Sequence, residues 1–410
     1  MPSTAFARLR PIALAWTAGA ALMLPPPALA TPPDPSPPAT TPAPPWAKAL
    51  QRELDRVAAH SSAAFGVHVR DLDTGQSFSF HGEERWYLAS SIKVPVAIAV
   101  LRGVERGDYT LDTPLTLRAT DYVDGAGPAK NQPVGAALSV RWLLEQMIVY
   151  SDNTASDMLI DLVGLREVNA LVQSVVPGGF ERITHLADVR RQAYAQLTPE
   201  AVHLSGRDFI ALHQQRTDAD VKATLARLLR VPADGLRPLS VDKAYEAYYA
   251  SGLNSGRLDA YAELLAQLVE GKLLEPRHTA YLLGVMERVK TGPNRIKAGL
   301  PTRARFAHKT GTQRARTCDS GLVTVPRLPT DRRVIVVACT RGELSTARSD
   351  RTLRQVGIAL CQSGLLSDGK PHETPCQTVP SRAAAPSGTT GPGGHPGPAG
   401  PGAGVDDDPP

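Results

Sequence analysis

A serine and a lysine stand three residues apart in Ser90-Ser91-Ile92-Lys93, just ahead of an apolar stretch. Side chains three residues apart on a helix share one face, so the amine of Lys93 can lie beside the hydroxyl of Ser90. A neutral amine there can accept the hydroxyl proton, and the N-terminal end of a helix favours negative charge developing on the oxygen. The pair therefore predicts a nucleophilic serine whose proton is taken by a lysine.

The serine–lysine spacing occurs twice more, in Ser240–Lys243 and Ser367–Lys370, so the spacing by itself says little. A helix-capping serine followed by a solvated lysine gives the same pattern. Only Ser90 lies between a predicted hairpin and an apolar helix, whereas Ser367 falls in the C-terminal tail. This context favours Ser90 as the reactive serine.

Two further segments bring polar groups that suit acyl transfer. Ser151-Asp152-Asn153 opens an apolar helical run 61 residues after Ser90, and Lys309-Thr310-Gly311-Thr312 ends a predicted strand in small residues. A glycine in such a strand lets a substrate backbone approach its edge. Each segment also has a plain structural explanation, because Ser and Asp are ordinary helix caps and a strand can simply end with an exposed lysine.

Together and in this order, the three motifs resemble the signature of the penicillin-recognising serine hydrolases. Roughly residues 60–365 are similar to class A β-lactamases. The matching segments are Gly66–Val69 with the Asp73–Gly75 turn, Ala89–Ala97, Tyr150–Ala155, Arg295–Pro301 and Ala307–Thr312. The resemblance implies an α/β (α+β) fold of the β-lactamase/transpeptidase type, with an antiparallel sheet flanked by helices and an inserted all-α lobe. It also implies that β-lactam amides are opened through an acyl-enzyme on Ser90.

The resemblance assigns the catalytic steps to three side chains. Ser90 would be the acylated nucleophile, Lys93 a proton acceptor in acylation, and Ser151 the relay of a proton to the leaving nitrogen. The backbone N–H groups of Ser90 and Thr312 would form the oxyanion hole. Tyr122 would line the entrance.

The remaining motif residues are assigned to substrate binding. Asn153 would hydrogen-bond the side-chain amide of the substrate. Lys309 and Thr310 would bind its carboxylate, on a strand that continues through Gly311 and Thr312. The expected partner is therefore a small molecule, a β-lactam or a peptidoglycan-like amide. No cofactor or metal is implied, since no two of the ten histidines have the spacing of a zinc site.

The chain departs from class A β-lactamases in the loop that carries their water-activating glutamate. Their E-x-x-L-N pattern is not found, and the 158 residues from Ser151 to Lys309 are considerably more than the family leads us to expect. The extra length falls at about residues 186–254. One alignment places Tyr194 and Leu197 at the Glu and Leu positions.

In that alignment Thr198 replaces the final asparagine of the pattern. Other candidate carboxylates in this region are Glu200, Asp242 and Glu246, each expected to be a solvated surface charge. Deacylation needs its own activated water. Without a base the acyl-enzyme would persist, as in a D,D-peptidase or esterase-like penicillin-binding protein with slow deacylation, or a homologue that binds β-lactam or peptidoglycan without turnover. The sequence leaves these alternatives open.

Composition divides the 410-residue chain into four segments. Residues 1–30 read as a cleavable signal peptide, with Arg8 and Arg10 before an apolar run and a small-x-small pattern ending at Ala30. Residues 31–45 hold eight prolines and predict a semi-stiff linker. Residues 46–365 have ordinary globular composition, and residues 366–410 form a Pro- and Gly-rich tail expected to be disordered.

Charge and the N-terminal segment limit the function classes. The formal net charge of +5 is too small for a general polyanion binder, so nucleic acid is not implied. The apolar run near the N-terminus is too short to span a membrane comfortably, which argues against a stable membrane anchor. We therefore expect a periplasmic or secreted monomer.

The predicted elements are strands, then a long helical middle, then strands and a helix, which places both ends in one sheet around an all-α lobe. They are hairpins at Ala64–Asp71/Gln76–His81 and Cys318–Val325/Arg333–Cys339, a strand at Phe306–Thr312, and helices at Ser91–Arg106, Ser139–Met147, Thr154–Val163, Asp208–His213, Val221–Leu229, Leu258–Val269 and Ser345–Cys361.

Four cysteines in an oxidising compartment suggest up to two disulfides, although four free thiols remain an alternative. If the second hairpin turns between residues 328 and 329, Cys318 faces Cys339 across the ladder and the two can be bridged. Cys361 and Cys376 would then form the other pair by elimination.

Overall fold

A computed structural model describes residues 44–327 and 329–367 of the chain. The proposed signal peptide, nearly all of the Pro-rich linker and the tail beyond residue 367 lie outside this part. Within it, no helix combines the length and the apolar character needed to cross a membrane.

Nine strands in the described residues form one main sheet and two short ribbons. They are β1 Ala64–Asp71, β2 Ser77–Phe80, β3 Arg85–Tyr87, β4 Pro114–Thr116, β5 Ala137–Ser139, β6 Ser255–Arg257, β7 Arg305–Gln313, β8 Arg316–Val325 and β9 Arg332–Arg341. The main sheet is antiparallel, in the order β2-β1-β9-β8-β7. Because β1 pairs directly with β9, strands from the N-terminal and C-terminal parts of the chain share one sheet. Strand β7 lies at one edge of this sheet.

Twelve α-helices within the same part of the chain surround this sheet. They are α1 Pro45–His60, α2 Lys93–Arg106, α3 Val140–Val149, α4 Asn153–Val163, α5 Leu165–Val175, α6 Leu186–Ala195, α7 Gly206–His213, α8 Asp218–Leu229, α9 Val241–Ala250, α10 Leu258–Val269, α11 Pro276–Glu287 and α12 Thr346–Gln362. The expected mixed α/β class, with a helical lobe between strand-rich ends, is confirmed.

Both faces of the main sheet are buried. Alternate residues of a strand point to opposite faces, so each strand contributes side chains to two cores. On β9, Val334 and Val336 join the core cluster that contains residues of α1 and α12. Ile335 and Val337 join the larger cluster of the helical lobe. Such a strand reads as a continuous run of β-branched residues, as β9 does.

Helix α2 runs through the centre of the helical lobe. Its residues from Lys93 to Leu101 are all buried, as expected for a helix that is covered on every side. Pro95 lies in the first turn, where its missing N–H costs no hydrogen bond. Gly107, with a φ of 79°, ends the helix in a left-handed cap. The helix is therefore a rigid support for the serine that precedes it.

Several observed elements agree closely with the predicted ones. The strand predicted at Ala64–Asp71 has those bounds, and the helix predicted at Thr154–Val163 begins one residue earlier. The helix predicted from Ser91 starts at Lys93, because residues 89–92 form a 3-10 turn. Helix α1 has no counterpart among the predicted elements and begins at Pro45, the residue at which the linker was expected to end. Helices α5 and α6 and the short strands β3 to β6 were not predicted either.

The disulfide between Cys318 and Cys339 is present, with 4.1 Å between the two Cα atoms. The two residues are direct partners in the β8–β9 register, which centres the hairpin between residues 328 and 329 as the prediction required. Cys318 also pairs with Gly311 of β7, so the bridge lies one strand away from the Lys309 motif. The second predicted pair cannot be described, because Cys376 lies outside the described residues.

Candidate active site

Ser90 sits in a tight turn that leads into α2. Residues 89–92 form a 3-10 turn, and the first of them, Ala89, has a φ of 47°, a left-handed conformation that a non-glycine residue adopts only under constraint. The backbone N–H of Lys93 closes the turn by donating to the carbonyl oxygens of Ser90 and Ser91. Ala89, Ser91 and Ile92 are buried, whereas Ser90 is half-buried and lines a cleft. The turn thus presents Ser90 at the N-terminal end of the central helix.

Lys93 is fully buried beneath this turn. Its Nζ donates to the carbonyl oxygen of Ser151 at 2.5 Å, to Oδ1 of Asn153 at 2.7 Å and to Oγ of Ser151 at 3.3 Å. Burial is the main cause that lowers the pKa of Lys93 from 10.5 to about 7, against the opposing charges of Asp152 and Asp157. Near neutral pH a large fraction of the amine is therefore uncharged and able to accept a proton.

The acylation that the resemblance implies at Ser90 is expected to depend on pH through this amine. Only neutral Lys93 can act as a base, so the rate should be close to its plateau above the pKa of about 7 and fall roughly tenfold for each pH unit below it. The measurement is the rate of adduct formation at Ser90 between pH 5 and 9. A rate that stays constant down to pH 5 would contradict a lysine base.

Ser151 lies between two lysines. It has a φ of 60° in the short connection from α3 to α4. Its Oγ accepts from Nζ of Lys309 at 3.0 Å and lies 3.3 Å from Nζ of Lys93. This line of polar atoms can carry a proton between the floor of the cleft and the β7 side.

Asp152 holds this turn in place. One of its carboxylate oxygens accepts from the N–H of Ala155 at 2.9 Å and caps α4, and the other accepts from the N–H of Ala129 at 2.7 Å. Gly127, with a φ of 94°, packs so closely that an added Cβ would lie 2.3 Å from Oδ2 of Asp152. The carboxylate is thus used structurally, and it fixes Ser151 and Asn153 on either side.

Asn153 connects the lysine to the opposite wall of the cleft. Its Oδ1 accepts from Lys93, and its Nδ2 donates to the carbonyl oxygen of Asp124 at 2.7 Å. Gly125, with a φ of 111°, leaves no room for a side chain, because a Cβ there would lie 2.5 Å from Nδ2 of Asn153. The amide is therefore held in one orientation on the rim of the cleft.

Lys309 on β7 is also fully buried. Its Nζ donates to Oγ of Ser151 and to the carbonyl oxygen of Thr310 at 2.9 Å. Burial, then the nearby charges of Lys93 and Arg295, lower the pKa of Lys309 well below 10.5. An anion arriving at this lysine would supply the missing counter-charge and favour its protonated form.

Gly311 allows β7 to touch the Ser90 turn. A Cβ at this position would lie 2.6 Å from the carbonyl oxygen of Leu88 and 3.2 Å from the backbone nitrogen of Ser90. Arg295 fixes the same stretch from the other side, because its guanidinium donates to the carbonyl oxygen of Gly311 at 3.1 Å and to Oγ1 of Thr312 at 2.7 Å. The Thr312 end of β7 is therefore held beside the Ser90 turn.

The cleft lies between β7, the Ser151 turn and helices of the predicted insertion. The predicted site residues Ser90, Ser151, Asn153, Thr310 and Thr312 line it. Buried Lys93 and Lys309 reach this group through their hydrogen bonds to Ser151, and Gly311 supports it from the strand. The structure thus brings all eight predicted site residues together.

The candidates for a deacylating base are placed less favourably. Tyr194 lines the cleft, but burial and neighbouring Tyr245 raise its pKa well above 10, so its phenol stays protonated near neutral pH. Glu200 is exposed and bonds to the hydroxyl of Thr198. Asp242 is ion-paired with Arg314 of the cleft wall. None of these three is an unpaired carboxylate in the cleft.

Glu246 and Tyr122 are each held by a partner within the protein. Glu246, the last candidate base, forms an ion pair with Arg316 at 2.7 Å. Tyr122, expected at the entrance, is buried and donates its hydroxyl to the carbonyl oxygen of Gln132 at 2.6 Å.

The carboxylates that do line the described cleft are Asp124 and Glu343, and neither follows from a sequence motif. Nε of Arg190 donates to both oxygens of Asp124, at 2.9 and 3.1 Å. Glu343 is paired with Arg348 at 2.8 Å. Both acids are therefore neutralised by arginines, and no short-range pattern in the sequence signals either pair.

A family model described as the β-lactamase enzyme family matches residues 49–363. Among curated proteins, the chain is 22% identical over 285 residues to β-lactamase VEB-1 of Pseudomonas aeruginosa, covering 68% of this chain and 78% of that one. It is 25% identical over 321 residues to a β-lactamase of Streptomyces albus G, covering 76% and 84%. A solved structure of a point mutant of PBP-A, in an acyl-enzyme complex with penicillin G, aligns with a TM-score of 0.58 at 23% identity, covering 77% and 96%.

The architecture is therefore that of the β-lactamase/transpeptidase-like fold, as the resemblance implied. The chain belongs to the β-lactamase enzyme family, whose model spans almost the whole described part. This makes it a hydrolase of β-lactamase type.

Proposed function

We propose that this chain is an exported serine hydrolase of the class A type that opens β-lactam amides through an acyl-enzyme on Ser90. The observation that carries the proposal is the polar line from Lys93 through Ser151 to Lys309, placed beneath and beside the Ser90 turn. A buried amine with a lowered pKa and a relay hydroxyl suit serine acylation, and a second lysine, whose charged form an incoming anion favours, suits binding of a carboxylate.

Acylation can be derived from this geometry. Neutral Lys93 takes the proton of the Ser90 hydroxyl as Oγ attacks the lactam carbonyl carbon. The backbone N–H groups of Ser90 and Thr312 stabilise the oxyanion of the tetrahedral intermediate. When the C–N bond breaks, the lactam nitrogen receives the proton of Ser151, and Ser151 regains one from the Lys93 ammonium. The product is a Ser90 ester, with both Lys93 and Ser151 back in their starting protonation states.

Substrate binding uses the two walls of the cleft. A substrate carboxylate binds at Lys309 and Thr310, where its charge favours the protonated form of the buried lysine. The side-chain amide of the substrate lies against Asn153, which Asp124 and Lys93 hold in one orientation. These two contacts place the lactam carbonyl over Ser90.

A second candidate function is a penicillin-binding homologue that acylates quickly and deacylates slowly. It is favoured by the ion pairs of Asp124 and Glu343, because a carboxylate held by an arginine is a weak base for activating water. PBP-A, a structural neighbour, forms an acyl-enzyme with penicillin G in its mutant form. The two candidates share the acylation step and differ only in the rate of deacylation.

Intact mass over time after addition of benzylpenicillin tests both. For a β-lactamase, a transient adduct decays while penicilloate accumulates; for slow deacylation, the adduct persists without product. Ser90→Ala is expected to abolish the adduct, because it removes the attacking oxygen. Ser91→Ala is the matched control, since Ser91 is buried one residue along the same turn. Failure to form any adduct in the unsubstituted chain would refute the proposed function.

Export to the periplasm or beyond is part of the proposal and rests on the signal-like residues 1–30. A periplasmic or secreted monomer without a stable membrane anchor is the form we propose. N-terminal sequencing of the secreted protein is expected to begin at Thr31, just after the Ala28-Leu29-Ala30 pattern.

A further inference from the structure

The helices of the predicted insertion build one wall of the cleft, and that wall carries a charged pair. Arg190 on α6 and Asp124 both line the cleft. Apolar and aromatic side chains of α6–α9 lie around them, and His213 and Gln215 add polar groups, with Nδ1 of His213 3.6 Å from a carboxylate oxygen of Asp124. A charged pair whose side chains are only 13% and 4% exposed costs desolvation, so its place at the substrate cleft calls for a role.

The pair is connected directly to the residue that is proposed to bind the side-chain amide of the substrate. Nδ2 of Asn153 donates to the carbonyl oxygen of Asp124, and the carboxylate of Asp124 accepts from Nε of Arg190. A group attached to the carbon next to that amide is therefore brought towards the Asp124–Arg190 pair. Asn153 contacts the backbone of Asp124 and Arg190 contacts its carboxylate, so all three residues lie on the same wall of the cleft.

We propose that Arg190 selects substrates whose acyl side chain carries a carboxylate on the carbon next to the amide. This inference rests on the proposed function, since it names the substrate class of the same site. It makes Arg190 a specificity-determining residue supplied by the extra segment at residues 186–254.

The arginine is the better partner of the two charged residues. Both oxygens of Asp124 already accept from Arg190, and only 4% of the Asp124 side chain is exposed, against 13% of that of Arg190. The guanidinium has five N–H donors, and Asp124 uses only the one on Nε. Nη1 lies 3.5 Å from the hydroxyl of Tyr245, so the outer edge of the guanidinium is not closed by a strong bond in the described structure. That edge matches a carboxylate in shape and charge.

Three penicillins that differ only at this carbon test the proposal: the benzyl, α-carboxybenzyl and α-aminobenzyl compounds. The second-order rate constant of Ser90 adduct formation is measured for each, with the full-length chain. Arg190→Gln is expected to lower the ratio of the α-carboxybenzyl to the benzyl rate about tenfold, as expected for loss of one charge-assisted hydrogen bond. Arg190→Lys keeps the charge without the planar fork and should retain part of the preference.

Arg191→Gln is the matched control, because Arg191 is the next residue of α6 but donates to Asp188 and to the carbonyl oxygen of Leu204, outside the cleft lining. Its ratio should equal that of the unsubstituted chain. If Arg190→Gln unfolds, Arg190→Lys still decides the question by its ratio.

Three results would overturn the inference. The first is a ratio unchanged in both Arg190 variants. The second is a preference for the α-aminobenzyl compound, which would assign the selectivity to Asp124. The third is an equal loss in Arg191→Gln. An absence of adduct with the benzyl compound in the unsubstituted chain would instead refute the proposed function, and this inference with it.

Discussion

Replacing Lys93 with glutamine is expected to slow Ser90 acylation by about 10²–10⁴-fold, the usual contribution of a general base. The amide of glutamine can still hydrogen-bond to Ser151 and Asn153, but it cannot accept a proton at neutral pH. Burial lowers the pKa of Lys93 to about 7, so about half of the amine is neutral at pH 7, and this advantage is lost with the amine itself. The measurement is the second-order rate constant of adduct formation with benzylpenicillin.

The pH profile separates loss of the base from general damage. In Lys93→Gln the limb centred near pH 7 should disappear, whereas a misplaced Ser90 would only scale the whole profile down. Lys297→Gln is the control for removing a lysine, because Lys297 is exposed on the 3-10 turn at Ile296–Gly299. Acylation at the unsubstituted rate in Lys93→Gln would exclude Lys93 as the base.

Gly311→Ala is expected to reduce acylation about 100-fold, as a displacement of about 1 Å in a catalytic site can do. The added Cβ would lie 2.6 Å from the carbonyl oxygen of Leu88, a backbone atom that cannot rotate away, so β7 and the Ser90 turn must separate. Separation moves the N–H of Thr312 away from that of Ser90 and opens the oxyanion hole. The loss should appear in the acylation rate, with adduct mass as the readout.

A second glycine provides the comparison for this variant. Gly284 lies within α11, and a Cβ there meets nothing within 4 Å. Gly284→Ala should therefore keep the acylation rate and, because alanine favours helix by about 1 kcal/mol over glycine, should not lower the melting temperature. Near-normal acylation by Gly311→Ala would show that the approach of β7 to Ser90 is not required for the reaction.

Local patterns in the sequence were sufficient for α2 and for the strands that carry the Lys309 motif and the disulfide, but not for α6, which forms one wall of the cleft. The apolar run after Ser90 forms α2, and the alternation and turn residues of the second hairpin give the register in which Cys318 faces Cys339. Helix α1 was not predicted because it follows a Pro-rich segment. Its apolar residues Leu50 and Leu54 are buried only by packing in the core cluster that includes residues of the sheet. Periodicity reports what one element can bury, and it does not report the partner that buries it.

Residue types at short, fixed spacings in the sequence were enough to indicate the family, the eight motif residues and the succession of strands, helical middle and strands. The charge states and partners of the residues in the cleft follow from the folded structure and not from local sequence. The lowered pKa values of Lys93 and Lys309 arise mainly from burial, and for Lys309 also from the proximity of Lys93, although 216 residues separate the two in the chain. The pairing of Asp124 with Arg190, 66 residues apart, likewise depends on where α6 packs. Desolvation and Coulomb interaction act through space, and the distances that set them exist only once the chain has folded.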